Sequence, residues 1–250
     1  MLSSLPDQSQ FLQTILYIIK TYYPIILYGL GITFLLSVVG TIGGFILSLN
    51  LTQIRLLQVD KKRDSHFIKF LKHTSRFLGN GYVTIFRGTP MIVQAMIIYY
   101  GVSSLKLFSW WNPLSAGLII VTINTTAYIS EVLRGSINAV AVGQMEAGRS
   151  LGLTHRQTMR KIIWPQAIKN ALPGIGNEFV VNLKDTAVLS VISVVDLFYA
   201  VRQSASSNYR YVEAFVVAAV IYLCITYVSS KVIKHLETKV GMARLAYDTN

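Results

Sequence analysis

Charge is missing from four long stretches of this chain, and that constrains the fold more than any residue present. No Asp, Glu, Lys or Arg occurs between Lys20 and Arg55, Arg87 and Lys106, Lys106 and Glu131, or Glu213 and Lys231. A helix crossing the hydrocarbon needs about 20 residues at roughly 1.5 Å each. The first and third stretches reach that length; the second and fourth reach it with flanking residues that snorkel. Only 14% of the 250 residues are charged, against about a quarter in soluble domains, and 52% are hydrophobic with mean hydropathy +0.49. The expected fold class is an all-α polytopic membrane protein.

A further span is expected from Pro173 to Val195, a helix-length and mostly apolar segment that carries Glu178, Lys184 and Asp185. The five expected spans are then about 24–51, 86–106, 112–133, 173–195 and 213–231, in a single transmembrane domain covering 1–250. With these spans the basic residues sort by side. Arg55, Lys61, Lys62, Arg63, Lys69, Lys72, Arg76, Arg134, Arg149, Arg156, Arg160, Lys161, Lys169, Lys231, Lys234, Lys239 and Arg244 fall on one side. Only Lys20, Lys106, Arg202 and Arg210 fall on the other. The positive-inside rule then puts the N-terminus outside and the C-terminus in the cytoplasm. The net charge of +12 is thus a membrane-topology signal, and no nucleic-acid partner is expected.

Smaller features refine this outline. Phe11, Ile15, Ile18 and Tyr22 recur at helical spacing, so residues 8–22 are expected to form a short helix along the outer interface, against membrane lipid. Residues 196–212, rich in Ser, Asn and Tyr, are expected to form the longest outer loop. The first residues lack a basic n-region and an A-x-A site, so no cleaved signal peptide is expected. The single cysteine, Cys224, excludes an internal disulfide and a cysteine-based metal cluster.

The most telling polar segment is Gly143–Pro173, basic and helix-patterned between two spans. Glu146 falls in the first turn of an expected helix, where a carboxylate meets the positive helix end. Gly152 suits a left-handed C-cap. Thr154-His-Arg-Gln157 has the form of a capping box. A second helix is expected to end at Trp164, because Pro165 lacks a backbone donor and clashes with the preceding turn. On pattern alone, this elbow is either a grip for a soluble partner or a pair of amphipathic helices resting on anionic lipid.

Glu146-Ala-Gly-x-x-x-Gly152, nine residues, then Ile162-x-Trp164-Pro165 resembles the EAA loop of ATP-binding cassette (ABC) importer permeases. That loop reads E-A-A-x-x-x-G, nine residues, then I-x-L-P. Gly148 replaces the second Ala and Trp164 replaces Leu. Phe86-Arg-Gly-Thr-Pro-Met-Ile-Val-Gln94, Ala127-Tyr-Ile-Ser-Glu-Val-Leu-Arg-Gly135 and Leu183-Lys-Asp-Thr-Ala-Val-Leu-Ser-Val191 are similar to signature segments of the polar amino acid uptake branch. The resemblance covers most of residues 80–195. It implies a type I ABC importer permease fold of five helices in the bacterial cytoplasmic (inner) membrane. It also implies a second permease subunit, identical or paralogous, two ATPase subunits and an extracytoplasmic substrate-binding protein. Residues 143–170 become the cytoplasmic coupling loop, with Glu146, Ala147, Gly148 and Gly152 expected to meet the ATPase.

A permease needs polar groups at mid-depth. Helical rise places Gln94, Asn124, Lys184 and Asp185 at similar depth on three spans, with Asn182 nearby. One reading is a cavity facing the bundle interior, in which Asp185 meets an ammonium or guanidinium and Lys184 or Arg87 a carboxylate. In the other, Lys184 and Asp185 pair locally or bind neighbouring helices together. Arg87 and Glu131 lie toward the cytoplasmic ends of their helices, either as an ion pair at the inner mouth or with Arg87 binding a carboxylate. Gly88-Thr-Pro90 is expected to kink its helix, and Gly40, Gly43 and Gly44 to form a close-packing face.

No G-x-x-x-x-G-K-[ST] phosphate loop and no catalytic constellation occurs, so the chain is not expected to be an enzyme. No cofactor is expected on this chain, with ATP and Mg on the partner subunit. The expected activity is ATP-driven import of a cationic or zwitterionic amino acid by alternating access. Alternatives are import of cystine, an opine or another small polar nitrogen compound, and, in a different class, an ion channel or ion-coupled secondary transporter.

Overall fold

The computed structural model describes residues 10–60 and 64–239. Their regular structure is all helical, with no strand among them. The α-helices are α1 (Phe11–Arg55), α2 (His66–Gly88), α3 (Met91–Leu105), α4 (Pro113–Asn138), α5 (Val142–Ser150), α6 (His155–Thr158), α7 (Trp164–Asp185), α8 (Leu197–Asn208) and α9 (Tyr211–Lys239). A π-helical turn (Met159–Ile163) joins α6 to α7, and a 3₁₀ segment (Thr186–Ile192) follows α7. Among the described residues, α1, α4 and α9 are long and apolar enough to cross a membrane. The number becomes four if α2 and α3, bent at the break between them, form one broken span.

Several expected boundaries move. Residues 11–22 are not a separate interfacial helix but the start of the 45-residue α1; residues 8 and 9 lie outside the described residues. Of the apolar stripe expected there, Phe11 is 46% exposed, and the other three residues pack on protein. Ile18 is fully buried with Leu197, Val201, Ala205, Ala214 and Val217, and Ile15 and Tyr22 pack against the same cluster. The expected loop at 196–212 instead contains α8, whose first turn is capped by Asp196 Oδ1 accepting from Tyr199 N–H at 2.9 Å.

The helix expected at 86–106 starts late, because Phe86–Gly88 belong to α2 and α3 begins at Met91. Thr89 takes φ −124° and ψ 147°, the extended conformation that a following proline imposes. The expected kink is therefore a complete break. The helix expected to begin at Pro173 begins earlier, since α7 runs from Trp164 and contains Pro173, and α7 is not among the helices long and apolar enough to cross a membrane. Nor does the second helix of the elbow stop at Trp164. Ahead of Pro165 the chain widens into the π-turn, where Trp164 N–H bonds to Met159 O, five residues back. That wider turn accommodates a residue with no donor and a bulky ring.

The chain divides into two compact units, and α1, α4, α7 and α9 contribute residues to both. The first comprises residues up to Gly40, Met91–Val121 and Phe179–Ser229. Besides the cluster around Ile18, its core contains Leu36, Ala95, Ile120, Val121, Leu189 and Ile192, all essentially buried. A Cβ at Gly40 would fall 2.3 Å from Val121 Cγ1, so only glycine admits this approach of α1 to α4. Leu197 N–H donates to Thr33 Oγ1 at 3.1 Å, tying α8 to α1.

The second unit comprises Thr41–Pro90, Thr122–Glu178 and the residues from Ser230 onward. Gly43 and Gly44 lie against Thr122 and Thr125, where a Cβ would come within 2.9 Å of each threonine's Cγ2. Together with Gly40 they form the expected small-residue face. Such contacts matter in lipid, where helix association rests on van der Waals packing and hydrogen bonds rather than on a hydrophobic driving force. Ile129, Leu133 and Ala171 form a small core, with Trp164 packed against it.

Candidate functional site: the elbow and a charge cluster

Both features lie within the second unit. The elbow begins with α5, whose end is a complete Schellman motif. Gly152 takes φ +80°, its N–H bonds to Arg149 O at 3.0 Å, and Leu153 N–H bonds to Gly148 O at 3.1 Å. Two residues later the capping box starts α6. Gln157 N–H donates to Thr154 Oγ1 at 3.3 Å, and Thr154 N–H donates to Gln157 Oε1 at 2.8 Å. The two helices therefore meet through a turn whose orphan backbone groups are satisfied locally.

Packing makes the pair rigid. Gly148 is buried, and a Cβ there would fall 2.5 Å from Cγ2 of the fully buried Thr158. The glycine that replaces the second alanine of the motif is thus fitted to its neighbour. Glu146 and Ala147 are exposed, as are Val142 at 75% and Leu151 at 80%. A carboxylate flanked by exposed apolar side chains on a rigid turn is a surface suited to a protein groove.

The second feature surrounds Glu131 on α4. Its carboxylate accepts from Arg55 Nη2 and from Arg134 Nη2, the latter at 2.8 Å. Arg87 Nη1 stands 3.7 Å away, and its guanidinium lies 5.4 Å from the centre of the Tyr128 ring. Arg55 is the most enclosed guanidinium, with 7% of its side chain exposed against 44% for Arg87 and 43% for Arg134. Its other donors reach Asn80 Oδ1 and Ser130 Oγ, both at 2.9 Å. The expected Arg87–Glu131 pair exists as the loosest contact of a three-arginine cluster.

Arg55 and Arg134 were not among the expected site residues. The i,i+3 spacing of Glu131 and Arg134 on one helix could have indicated Arg134, but no local pattern links Arg55 to Glu131. Beside the cluster, a cleft of about 770 Å³ is lined by Glu131, Gly135, Ser136, Gln166, Lys169 and Asn170 among others.

The expected intramembrane residues divide by environment. In the first unit Gln94 and Asn182 are buried, at 6% and 4% exposure. Lys184 and Asp185 of the same unit are exposed, where the chain passes from α7 into the 3₁₀ segment. They do not face the interior of this chain's own bundle as expected, because the buried face there carries Leu183, Thr186, Leu189 and Ser190. Asn124, in the second unit, is buried at 8%.

Residues 69–242 match the family model described as binding-protein-dependent transport system inner membrane component, and the chain belongs to that family. It is 33% identical to the nopaline transport system permease protein of Agrobacterium fabrum, over 88% of this chain and 92% of that one. It is also 33% identical to the arginine transport system permease protein of Bacillus subtilis, covering 86% and 92%. Identity to the glutamine transport system permease protein of Escherichia coli is 30%, covering 86% and 93%.

Among solved structures, an amino acid ABC transporter crystallised with histidines superposes with a TM-score of 0.77 at 34% identity, covering 88% of this chain and 96% of that one. An inward-facing methionine ABC transporter superposes with a TM-score of 0.70 at 18% identity, covering 86% and 96%; that likeness concerns fold alone. The fold is that of type I ABC permeases, and the relatives are amino acid ABC transporter permeases.

Proposed function

We propose that this chain is the permease subunit of an ATP-driven importer that carries a polar amino acid inward by alternating access. The observation that carries this reading is the elbow Val142–Ile163, a rigid cap-and-turn unit that exposes Glu146. Mechanical coupling requires such a unit, because a flexible loop would absorb the motion of a partner instead of transmitting it. Two ATPase subunits would supply ATP and Mg, a second permease chain would complete the pathway, and an extracytoplasmic binding protein would deliver the cargo. Charge placement supports five spans with the N-terminus outside and the C-terminus in the cytoplasm. A channel or ion-coupled transporter would have no use for the elbow.

The test is retention and drive. Purified from its native membrane, the chain is expected to bring down an ATPase, and Glu146→Lys is expected to abolish ATP-dependent uptake. A chain that retains no ATPase, with uptake intact in Glu146→Lys, would sink the importer reading.

Cargo contacts are proposed at Gln94, Asn124 and Asp185, with Lys184 or Arg87 meeting a carboxylate. Because Lys184 and Asp185 lie on the surface of the single chain, the cavity they would line needs a second chain to close it. Cationic and zwitterionic amino acids fit this set, in keeping with the arginine and glutamine permeases among the relatives. Asp185→Asn and Asn124→Ala are expected to weaken uptake and shift competition among amino acids. If both leave rate and selectivity unchanged, the pathway runs elsewhere.

A further inference from the structure

We propose that the first half of α2, from His66 to Leu78, lies in the lipid headgroup layer and binds anionic phospholipid. The sequence shows this region as a source of basic residues on one side of the membrane; the structure makes it a helix with two opposed faces. Phe67, Phe70, Leu71 and Leu78 recur at intervals of three, one and seven residues, and Phe77 flanks them, giving one apolar stripe. They are exposed by 73, 68, 54, 63 and 76% respectively. Lys69, Lys72 and Arg76 occupy the opposite side at the same periodicity, and no Asp or Glu occurs between His66 and Gly88.

Gly79 fixes the level of this helix. A Cβ there would meet Arg55 Cγ at 3.0 Å and Ile54 and Leu51 at 3.5 Å, so α2 crosses α1 at its charged last turn. That turn is where a spanning helix leaves the hydrocarbon. An aromatic stripe at this level borders acyl chains, and a basic face at this level borders phosphates. Water is a poor occupant for five large apolar side chains in one stripe.

Charge selects among the remaining occupants. From Arg55 to Arg76 the sequence holds seven basic residues and only two acidic ones, Asp60 and Asp64. Asp64 is engaged by Lys72 at 2.7 Å. With Lys69, Lys72 and Arg76 on α2 against Asp64 alone, the helix keeps a net positive charge beside the stripe, which complements an anionic lipid surface and not a neutral one.

The experiment uses the whole transport complex in nanodiscs of phosphatidylcholine, alone or mixed equally with phosphatidylglycerol. Spin labels are placed at Phe70→Cys and Phe77→Cys in a Cys224→Ser background. Both labels are expected to be relaxed by oxygen and shielded from a water-soluble nickel chelate. Native mass spectrometry should find phosphatidylglycerol retained on the parent complex, with at least half of it lost in Lys69→Gln/Arg76→Gln. Labels open to the nickel chelate would mean a solvated helix, and labels shielded from both reagents would mean a protein-covered one; either overturns the proposal. So does phosphatidylglycerol retention that the double variant leaves unchanged. Uptake is not a readout, so failure of this proposal and failure of the transport reading are told apart.

Discussion

The elbow and the arginine cluster belong to the same unit but are held together in opposite ways. Every capping bond of the elbow joins residues no more than five apart: Gly152 to Arg149, Leu153 to Gly148, Gln157 to Thr154. The cluster joins Arg55 to Glu131 across 76 residues and depends on α1, α2 and α4 being packed already. Local chemistry of the first kind forms whenever the right residues follow one another. The second kind is stable only because tertiary packing holds two charges in a shielded place. An element that must move as one piece gains from the first, and a joint between helices gains from the second.

Removing the shared carboxylate should give the largest effect on stability. Glu131→Gln leaves three guanidiniums without a counter-charge, one of them almost fully enclosed, and should destabilise the complex by about 3 kcal/mol. Arg55→Gln should approach that figure. Arg87→Gln should cost under about 1 kcal/mol, since this arginine is half exposed and stands at 3.7 Å. Thermal unfolding in detergent orders the three. If Arg87→Gln costs as much as Arg55→Gln, burial is not what ranks the contacts, and the contrast with the elbow fails.

Within the elbow the expected effects are smaller and local. Gly148→Ala inserts a methyl group against Thr158 and should cost about 1–3 kcal/mol, with Thr158→Ser relieving part of it. Gly152→Ala forces a side chain into the left-handed region at about 1–2 kcal/mol. Thr154→Ala removes the cap at about 1 kcal/mol. Hydrogen exchange should show increased opening confined to residues 142–163 in each variant. Opening that spreads to the Glu131 cluster would mean that the two regions are one cooperative element.

How much was legible follows the same division. The capping box at Thr154 and the C-cap at Gly152 could be read because their partners lie within a few residues. The glycine face at Gly40, Gly43 and Gly44 was legible as well, since lipid-embedded helices use small residues for close approach. Other features did not follow from the sequence. The stripe at Ile15, Ile18 and Tyr22 was assigned to the membrane interface, yet α8 and α9 cover it. The exposed apolar stripe of α2, on which the lipid proposal rests, was not read from the sequence. Pro165 reads as a stop, but a π-turn absorbs it, a device that no residue type announces.

The sequence alone determined that this chain is helical, that it lives in a membrane, and that it carries a capped elbow. Uncharged runs and nearest-neighbour hydrogen bonds are properties of the chain order itself. Only the tertiary structure decided which side chains are enclosed. It buried Gln94, Asn124 and Asn182, left Lys184 and Asp185 on the surface, and gathered three arginines on Glu131. The physical reason is that the cost of a polar group in a membrane depends on what surrounds it, and the surroundings come from segments far away in the chain.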